Sequence, residues 1–311
     1  MTPLEIVLPV FLVLAAGYTL RRLGVFTEEG DRSLLGVLVK LFIPCLALDV
    51  IVGNEALARP SNWIVPPLIG FTIAAIGYGV CFVFGKIFLR ESGAARTFAS
   101  VAGLQNYSYI PLTLCQALFD REVVGVLFAF GLGVDVAMWT LGVGLLPGRR
   151  SENKWRRILL NPPTLAVASA MVLNAAGAGV WFPGALDSAL HMLGLCAVPT
   201  GLIVSGAVLA DHMKPGILRT GWGITALGIF LRLGLLPVTI LAAAVWLPFD
   251  ASLKKVLVIQ SAMPAAVFPL VLAKMHGGDM PVALRVVLGT MIVSLATIPL
   301  WIGWALRLIE G

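Results

Sequence analysis

The chain has 311 residues, 59% of them apolar and only 12% charged, with a mean hydropathy of +0.96. A soluble domain runs near ~45–50% apolar and ~25% charged, so soluble enzymes, nucleic-acid binders and disordered chains are excluded and an all-α polytopic membrane protein is expected. The net charge of +6 then asks for a topological explanation.

About ten stretches reach the ~20 apolar residues that a bilayer core requires of a helix. They run over 3–20, 33–52, 63–85, 96–119, 123–146, 159–179, 187–210, 221–247, 254–275 and 281–306. The first is expected to remain as a membrane helix and not to act as a signal peptide, because no Lys or Arg precedes it, Glu5 lies near its start and Arg21-Arg22 follow it. The second carries Lys40, Pro44 and Asp49; Lys40 can snorkel. The fourth contains LQNYSYIPL, the fifth Asp135 within GLGVD, the eighth Arg232 and the ninth IQSAMPAAVFPL. Arg285, near the start of the tenth, reads as a snorkelling anchor.

Sorting the loops by Lys and Arg puts 14 on the side opposite the termini and five on the termini side. Basic loops stay cytoplasmic. Both termini are therefore expected on the outer, periplasmic side of a bacterial inner membrane. Seven of the eight tryptophans, among them Trp63, Trp155, Trp181, Trp222 and Trp246, fall near span ends or in loops, as an aromatic belt requires.

Four cysteines (Cys45, Cys81, Cys115, Cys196) and three histidines (His191, His212, His276) are scattered, without a CxxC pair or ligand spacing. Neither a disulfide framework, a metal site nor a cofactor is expected.

The most basic loop, 147–157, divides the chain into a first five-helix repeat (1–146) and a second (158–311). Five spans is an odd number, so two similar halves must sit upside down relative to one another, as in many secondary transporters. Pro44 and Pro199 stand 155 positions apart, as do Gln105 and Gln260. In the fourth and ninth spans, amides, hydroxyls and prolines interrupt otherwise apolar helices. A proline there removes a donor and clashes with the carbonyl four residues earlier. Both helices are expected to break at mid-membrane, lining a cavity with half-helix N-termini that suit an anion.

The candidate substrate-binding set is therefore Gln105, Asn106, Tyr107, Tyr109 and Pro111 from the first break, with Ser261, Met263 and Pro264 from the second. Arg232, about 12 residues and so roughly 18 Å into its span, lies near the midplane and adds positive potential. Asp135 lies at a similar depth and is the candidate for ion or proton coupling. Ionisable groups at that depth are functional candidates by default. The competing reading makes Asp135 and Arg232 a structural ion pair in a channel or membrane receptor.

These residues resemble the auxin efflux carrier family of the bile acid, auxin and arsenite transporter superfamily, over essentially the whole chain. The matching features are FIPCLAL in the second span, Asn106 to Pro111 in the fourth, Asn161-Pro162-Pro163, Arg232 to Pro237 and Ser261 to Ala266. The resemblance implies a scaffold domain from helices 1, 2, 6 and 7, often the homodimer contact, and a mobile transport domain from helices 3–5 and 8–10. It implies elevator-type carriage of a small organic anion, such as a carboxylate or auxin-like acid, bound where the broken helices cross. Tyr107 and Tyr109 stand where the family often has glycine, and the long central loop of many plant members is absent.

Catalysis has no support in the residues. Asp135 has no second mid-membrane aspartate of the kind an aspartyl intramembrane protease needs, and no serine sits in a GxSxG context. Beyond the anion, the bilayer and a second copy of the chain, no partner is expected, and nucleic acid is not one.

Overall fold

The structure is a computed structural model that describes residues 3–148, 159–178, 183–213, 216 and 221–310. Most of the basic loop, Trp155 and Trp181, together with Lys214 and Arg219, lie outside the described residues. The described residues are helical and contain no strand; the one β-type pairing is an isolated bridge between Gln105 and Ala265.

In chain order the helices are α1 (Pro3–Arg22), α2 (Glu28–Val37), α3 (Ile43–Ile51), α4 (Ser61–Phe88), α5 (Ser92–Ala102), α6 (Tyr109–Leu118), α7 (Arg121–Ala137) and α8 (Val143–Leu145). Then follow α9 (Pro162–Ala175), α10 (Gly184–Leu195), α11 (Ala197–His212), α12 (Trp222–Ile229), α13 (Leu236–Trp246), α14 (Ala251–Ser261), α15 (Phe268–Met275) and α16 (Met280–Glu310). Three π-helical segments join neighbours into longer rods: Leu38–Phe42 between α2 and α3, Met138–Gly142 between α7 and α8, and Phe230–Leu235 between α12 and α13.

Six described helical stretches are long and apolar enough to cross a bilayer: Glu29–Ile51, Ser61–Phe88, Arg121–Leu145, Gly184–His212, Trp222–Trp246 and Met280–Ile309. The protein is membrane-embedded and multi-pass. Trp222 and Trp246 stand at the two ends of one rod, largely exposed, where an interfacial indole belongs.

Short polar side chains start the helices. Thr27 accepts from the Gly30 N–H at 3.1 Å, Asp120 from Val123 at 3.2 Å, Asp250 from Ser252 at 3.1 Å and Asp279 from Val282 at 3.0 Å. Each satisfies a donor that the first turn leaves without an intrahelical partner.

Helix α1 packs along α11, and α3 packs on α9 and α10. A second group forms where α4 packs on α5 and α7, α13 on α14, and α16 on α5, α12 and α14. The groups meet where α3 touches α7, α11 touches α6 and α1 touches α16. Glycine permits the closest approaches. A Cβ on Gly17 would strike the Ile203 backbone, and one on Gly133 the Pro67 carbonyl. Gly133 of GLGVD thus serves helix packing.

Helix boundaries repeat along the chain. The starts of α5 and α14, of α6 and α15, and of α7 and α16 each stand 159 positions apart, as do the capping aspartates Asp120 and Asp279. The 155-residue offset read from Gln105 and Gln260 therefore does not place them at equivalent positions. In the structural register Gln105 corresponds to Pro264. An offset near 155 is found only where α2 starts at Glu28 and α10 at Gly184, and where α3 starts at Ile43 and α11 at Ala197. A proline or glutamine marks an interruption to within a few residues, and intervening loops differ in length.

Candidate functional site

Helix α5 ends at Ala102 and α6 begins at Tyr109; α14 ends at Ser261 and α15 begins at Phe268. Residues 103–108 and 262–267 between them run antiparallel and pair through backbone atoms. The Asn106 N–H donates to the Pro264 carbonyl at 2.7 Å, and the Ala266 N–H donates to the Leu104 carbonyl at 3.0 Å. Gln105 and Ala265 form the bridge between these bonds. Pro264 lacks an N–H but contributes only its carbonyl, so a proline fits here where a donor position would reject it.

Neighbouring helices hold the crossing. The Thr290 hydroxyl on α16 accepts from the Ala265 N–H at 3.2 Å and donates to the Val286 carbonyl at 2.8 Å. Ser100 on α5 donates to the Gly142 carbonyl at 3.0 Å, and Thr97 accepts from the Asp279 N–H at 3.0 Å. Gly103 packs against α4 so closely that a Cβ would meet Tyr78, while Gly77 faces the Gly103 carbonyl. Neither Thr290 nor Ser100 is marked by any sequence pattern; each is a lone hydroxyl in an apolar run, indistinguishable from one that merely bonds its own helix.

The first interruption brings its polar side chains together. Asn106 is nearly buried, and its Oδ1 accepts from the Ser108 N–H at 3.4 Å. The Tyr107 hydroxyl donates to Asp135 Oδ1 at 2.5 Å and touches Met138 Sδ at 3.8 Å. Tyr107, Ser108, Tyr109 and Asp135 are all half-buried, so this side of the crossing is less enclosed than the second segment. The ring of Tyr109 lies over Gly201 of α11, where a Cβ would overlap it. The α6 N-terminus has no side-chain cap, which leaves its first N–H groups facing the same region.

The second interruption is different. Ser261, Met263 and Pro264 are buried, and the Ser261 hydroxyl donates to the Val258 carbonyl of its own helix at 2.7 Å. Pro111 is buried in the first turn of α6. Gln105 and Gln260 are fully buried, and neither end of either amide has a hydrogen-bonding partner among the described residues.

Arg232 reaches the crossing at one point, where Nη1 donates to the Gly103 carbonyl at 3.4 Å. A cation at that carbonyl complements the negative end of the α5 dipole. No ion pair joins Arg232 to Asp135, since Asp135 is held by Tyr107. The structural ion pair weighed from the sequence is thus absent among the described residues: Asp135 accepts from Tyr107, and Arg232 donates to the Gly103 carbonyl. No cluster of His, Cys, Asp or Glu able to hold a metal occurs among the described residues.

Residues 3–302 match the family described as "Membrane transport protein". The chain belongs to this family. It is the auxin efflux carrier family whose motifs the sequence carries. An uncharacterized transporter of Methanothermobacter thermautotrophicus is 24% identical over 299 residues, 96% of each chain. Another, from Methanocaldococcus jannaschii, is 25% identical over 312 residues, 98% of this chain and 99% of its own. Auxin efflux carrier component 8 of Arabidopsis thaliana is 24% identical over 145 residues, 46% of this chain and 39% of the plant protein. The protein is a membrane transporter, and its family is one of transporters, not enzymes.

Proposed function

We propose that this transporter is a carrier for a small organic anion, such as a carboxylate or auxin-like acid, working by an elevator-type alternating-access movement. The observation that carries the reading is the antiparallel pairing of residues 104–106 with 264–266 between four half-helices. Irregular backbone at membrane depth belongs beside a cavity or pathway. The uncapped start of α6, beside Asn106 and the Tyr107 hydroxyl, offers donors and partial positive charge to an anion. Gln105, Asn106, Tyr107, Tyr109 and Pro111 form the substrate side. Ser261, Met263 and Pro264 form its backing, and Arg232 adds positive potential through Gly103.

In this reading the chain has ten spans arranged as two inverted five-helix repeats, 1–146 and 158–311. The 159-residue spacing of α5, α6 and α7 from α14, α15 and α16 supports it. Helices α1, α2, α3, α9, α10 and α11 form the scaffold and the homodimer contact, and the rest form the moving transport domain. Both termini face the periplasm of a bacterial inner membrane.

Asp135 carries the coupled proton. A carboxylate beside Asn106 would repel an anionic substrate at low dielectric, so the site takes its anion together with a proton on Asp135. Tyr107 holds that carboxyl in place.

The test is exchange of labelled mono- and dicarboxylates across proteoliposomes. Saturable uptake with counterflow is expected, lowered by roughly 5- to 150-fold at limiting substrate by Asn106→Ala in a protein that still folds. Unchanged uptake in that variant at limiting and saturating substrate would overturn the placement of the site; conductance without counterflow would make the protein a channel.

A further inference from the structure

The first group of helices passes into the second through residues 52–60, between the end of α3 and the start of α4. This connection changes partners at Glu55. Up to Asn54 it is bound to the first group. Asn174 of α9 accepts from the Gly53 and Asn54 N–H groups at 2.8 and 3.1 Å and donates to the Asn54 carbonyl at 3.0 Å, while Asn54 Nδ2 donates to the Val50 carbonyl at 2.9 Å. From Ala56 onward it is bound to α4, whose Asn62 and Trp63 side chains donate to the Ala56 and Leu57 carbonyls at 2.7 and 2.6 Å.

Asn54 also reaches across to the second group, where Nδ2 donates to the Arg121 and Glu122 carbonyls at the start of α7, at 3.4 and 3.3 Å. In the opposite direction, Arg121 Nη2 donates to the Val52 carbonyl at 3.2 Å and stands 3.7 Å from one Asp49 oxygen. His191 of α10 lies 3.1 Å from the other. The polar contacts of Asn174, Asn54 and Asp49 within the first group thus measure 2.8–3.1 Å. Those across the boundary measure 3.2–3.7 Å. Hydrogen bonds weaken beyond their usual ~2.9–3.0 Å, so this network parts first at the boundary. The surfaces there nonetheless fit closely. Asn54 is 4% exposed, a Cβ on Gly125 would come within 2.3 Å of its Nδ2, and Val123, Val124, Val126 and Leu127 on that stretch of α7 are buried. Weak polar bonds close over a dry apolar contact.

We propose that Asn54, Asp49 and Arg121 form a latch across the outer end of the boundary between the scaffold and transport domains, closed in this structure, which parts each time the crossing is reached from the outer side. The connection flexes at Glu55, Asn54 stays with Asn174, and α7 lets go. The inference rests on the carrier reading, in which the two groups of helices move against each other. Asparagine serves both sides of the latch at once. Its Oδ1 accepts from the Leu57 N–H at 3.1 Å, which keeps the connection folded, and its Nδ2 supplies the bonds to α7. Removing the nitrogen alone therefore loosens the latch without untying the connection from Leu57 or Asn174.

Two measurements test this on the full chain. In right-side-out membrane vesicles carrying Cys196→Ser and Ser108→Cys, a membrane-impermeant maleimide added outside should label position 108 at least about threefold faster once Asn54→Asp is added, because losing the bonds to α7 shifts the balance from closed to open. The other three cysteines are buried. In Asn54→Cys/Gly125→Cys, a Cβ at 125 stands 3.2 Å from the place of Asn54 Cγ, which puts the pair within reach of a disulfide. Oxidising this variant in proteoliposomes should cut counterflow of labelled acetate, succinate or phenylacetate, whichever the wild type carries, by at least about tenfold, with recovery in dithiothreitol. The wild type treated in the same way should be unaffected. Unchanged labelling with Asn54→Asp would overturn the latch. So would full counterflow with the bridge formed, since 54 and 125 would then never separate, and that result leaves the carrier reading standing. If the double variant does not fold, the labelling decides alone. A wild type without counterflow of any of these acids would overturn the carrier reading and the latch with it.

Discussion

Residues 103–108 and 262–267 do the same thing to the backbone and almost opposite things with their side chains. Each ends one helix, crosses the other segment and starts a half-helix, with boundaries 159 positions apart. Yet the first presents Asn106, Tyr107 and Ser108 at a half-open face with Asp135 beside them, while the second is Ala-Met-Pro-Ala-Ala-Val, buried throughout and braced by Thr290. Equivalent backbones can therefore divide the work. In the proposed reading one segment supplies the chemistry, and the other the Pro264 acceptor and the Ala266 donor that pair with it.

The largest effect that sharpens this contrast is at Asn106. Replacement by Ala is expected to cost transport about 1–3 kcal/mol of substrate interaction, a loss of roughly 5- to 150-fold in uptake at limiting substrate. Proteoliposome uptake per mole of folded protein measures it. Next comes Asp135→Asn. With the proposed proton on Asp135 travelling beside the anion, wild-type uptake of the acid should rise as the external pH falls; in the variant, uptake should persist without that dependence. A pH response that survives the substitution would move the coupling elsewhere.

On the bracing side, Thr290→Val removes the acceptor for the buried Ala265 N–H and should lower stability by about 1–3 kcal/mol. Thermal unfolding should show this, while substrate affinity of the folded fraction stays the same. The smallest effect is expected at Met263, where Leu conserves volume and should cost less than about 1.5 kcal/mol. A large change in substrate affinity in Met263→Leu would mean that the second segment touches substrate after all and would break the division of labour.

The legible and illegible parts of this architecture separate for physical reasons. Long apolar runs made the membrane class readable, and proline with adjacent amides located both interruptions, because those residues act on their own helix. Asn106 and Tyr107 stood out as polar groups in an apolar stretch. Tyr107 could not be matched to Asp135, 28 positions away, nor Arg232 to Gly103, 129 positions away, because these contacts depend on how helices turn about their axes. Each π-segment shifts that turn. Arg232 lies inside one, Phe230–Leu235, so a helical projection from the sequence misplaces the face it occupies. Thr290 was invisible for the same reason.

The bonds that join the two crossing segments to each other are made by N–H and C=O groups alone, with donors at 106 and 266 and acceptors at 104 and 264. Every residue type but one carries the donors, so only a proline at 106 or 266 would disconnect the pairing directly. The architecture is thereby insulated from its own selectivity. In the proposed reading, a lineage can exchange the side chains at 106, 107 and 108, and so retune what is carried, while the backbone pairing stays as it is.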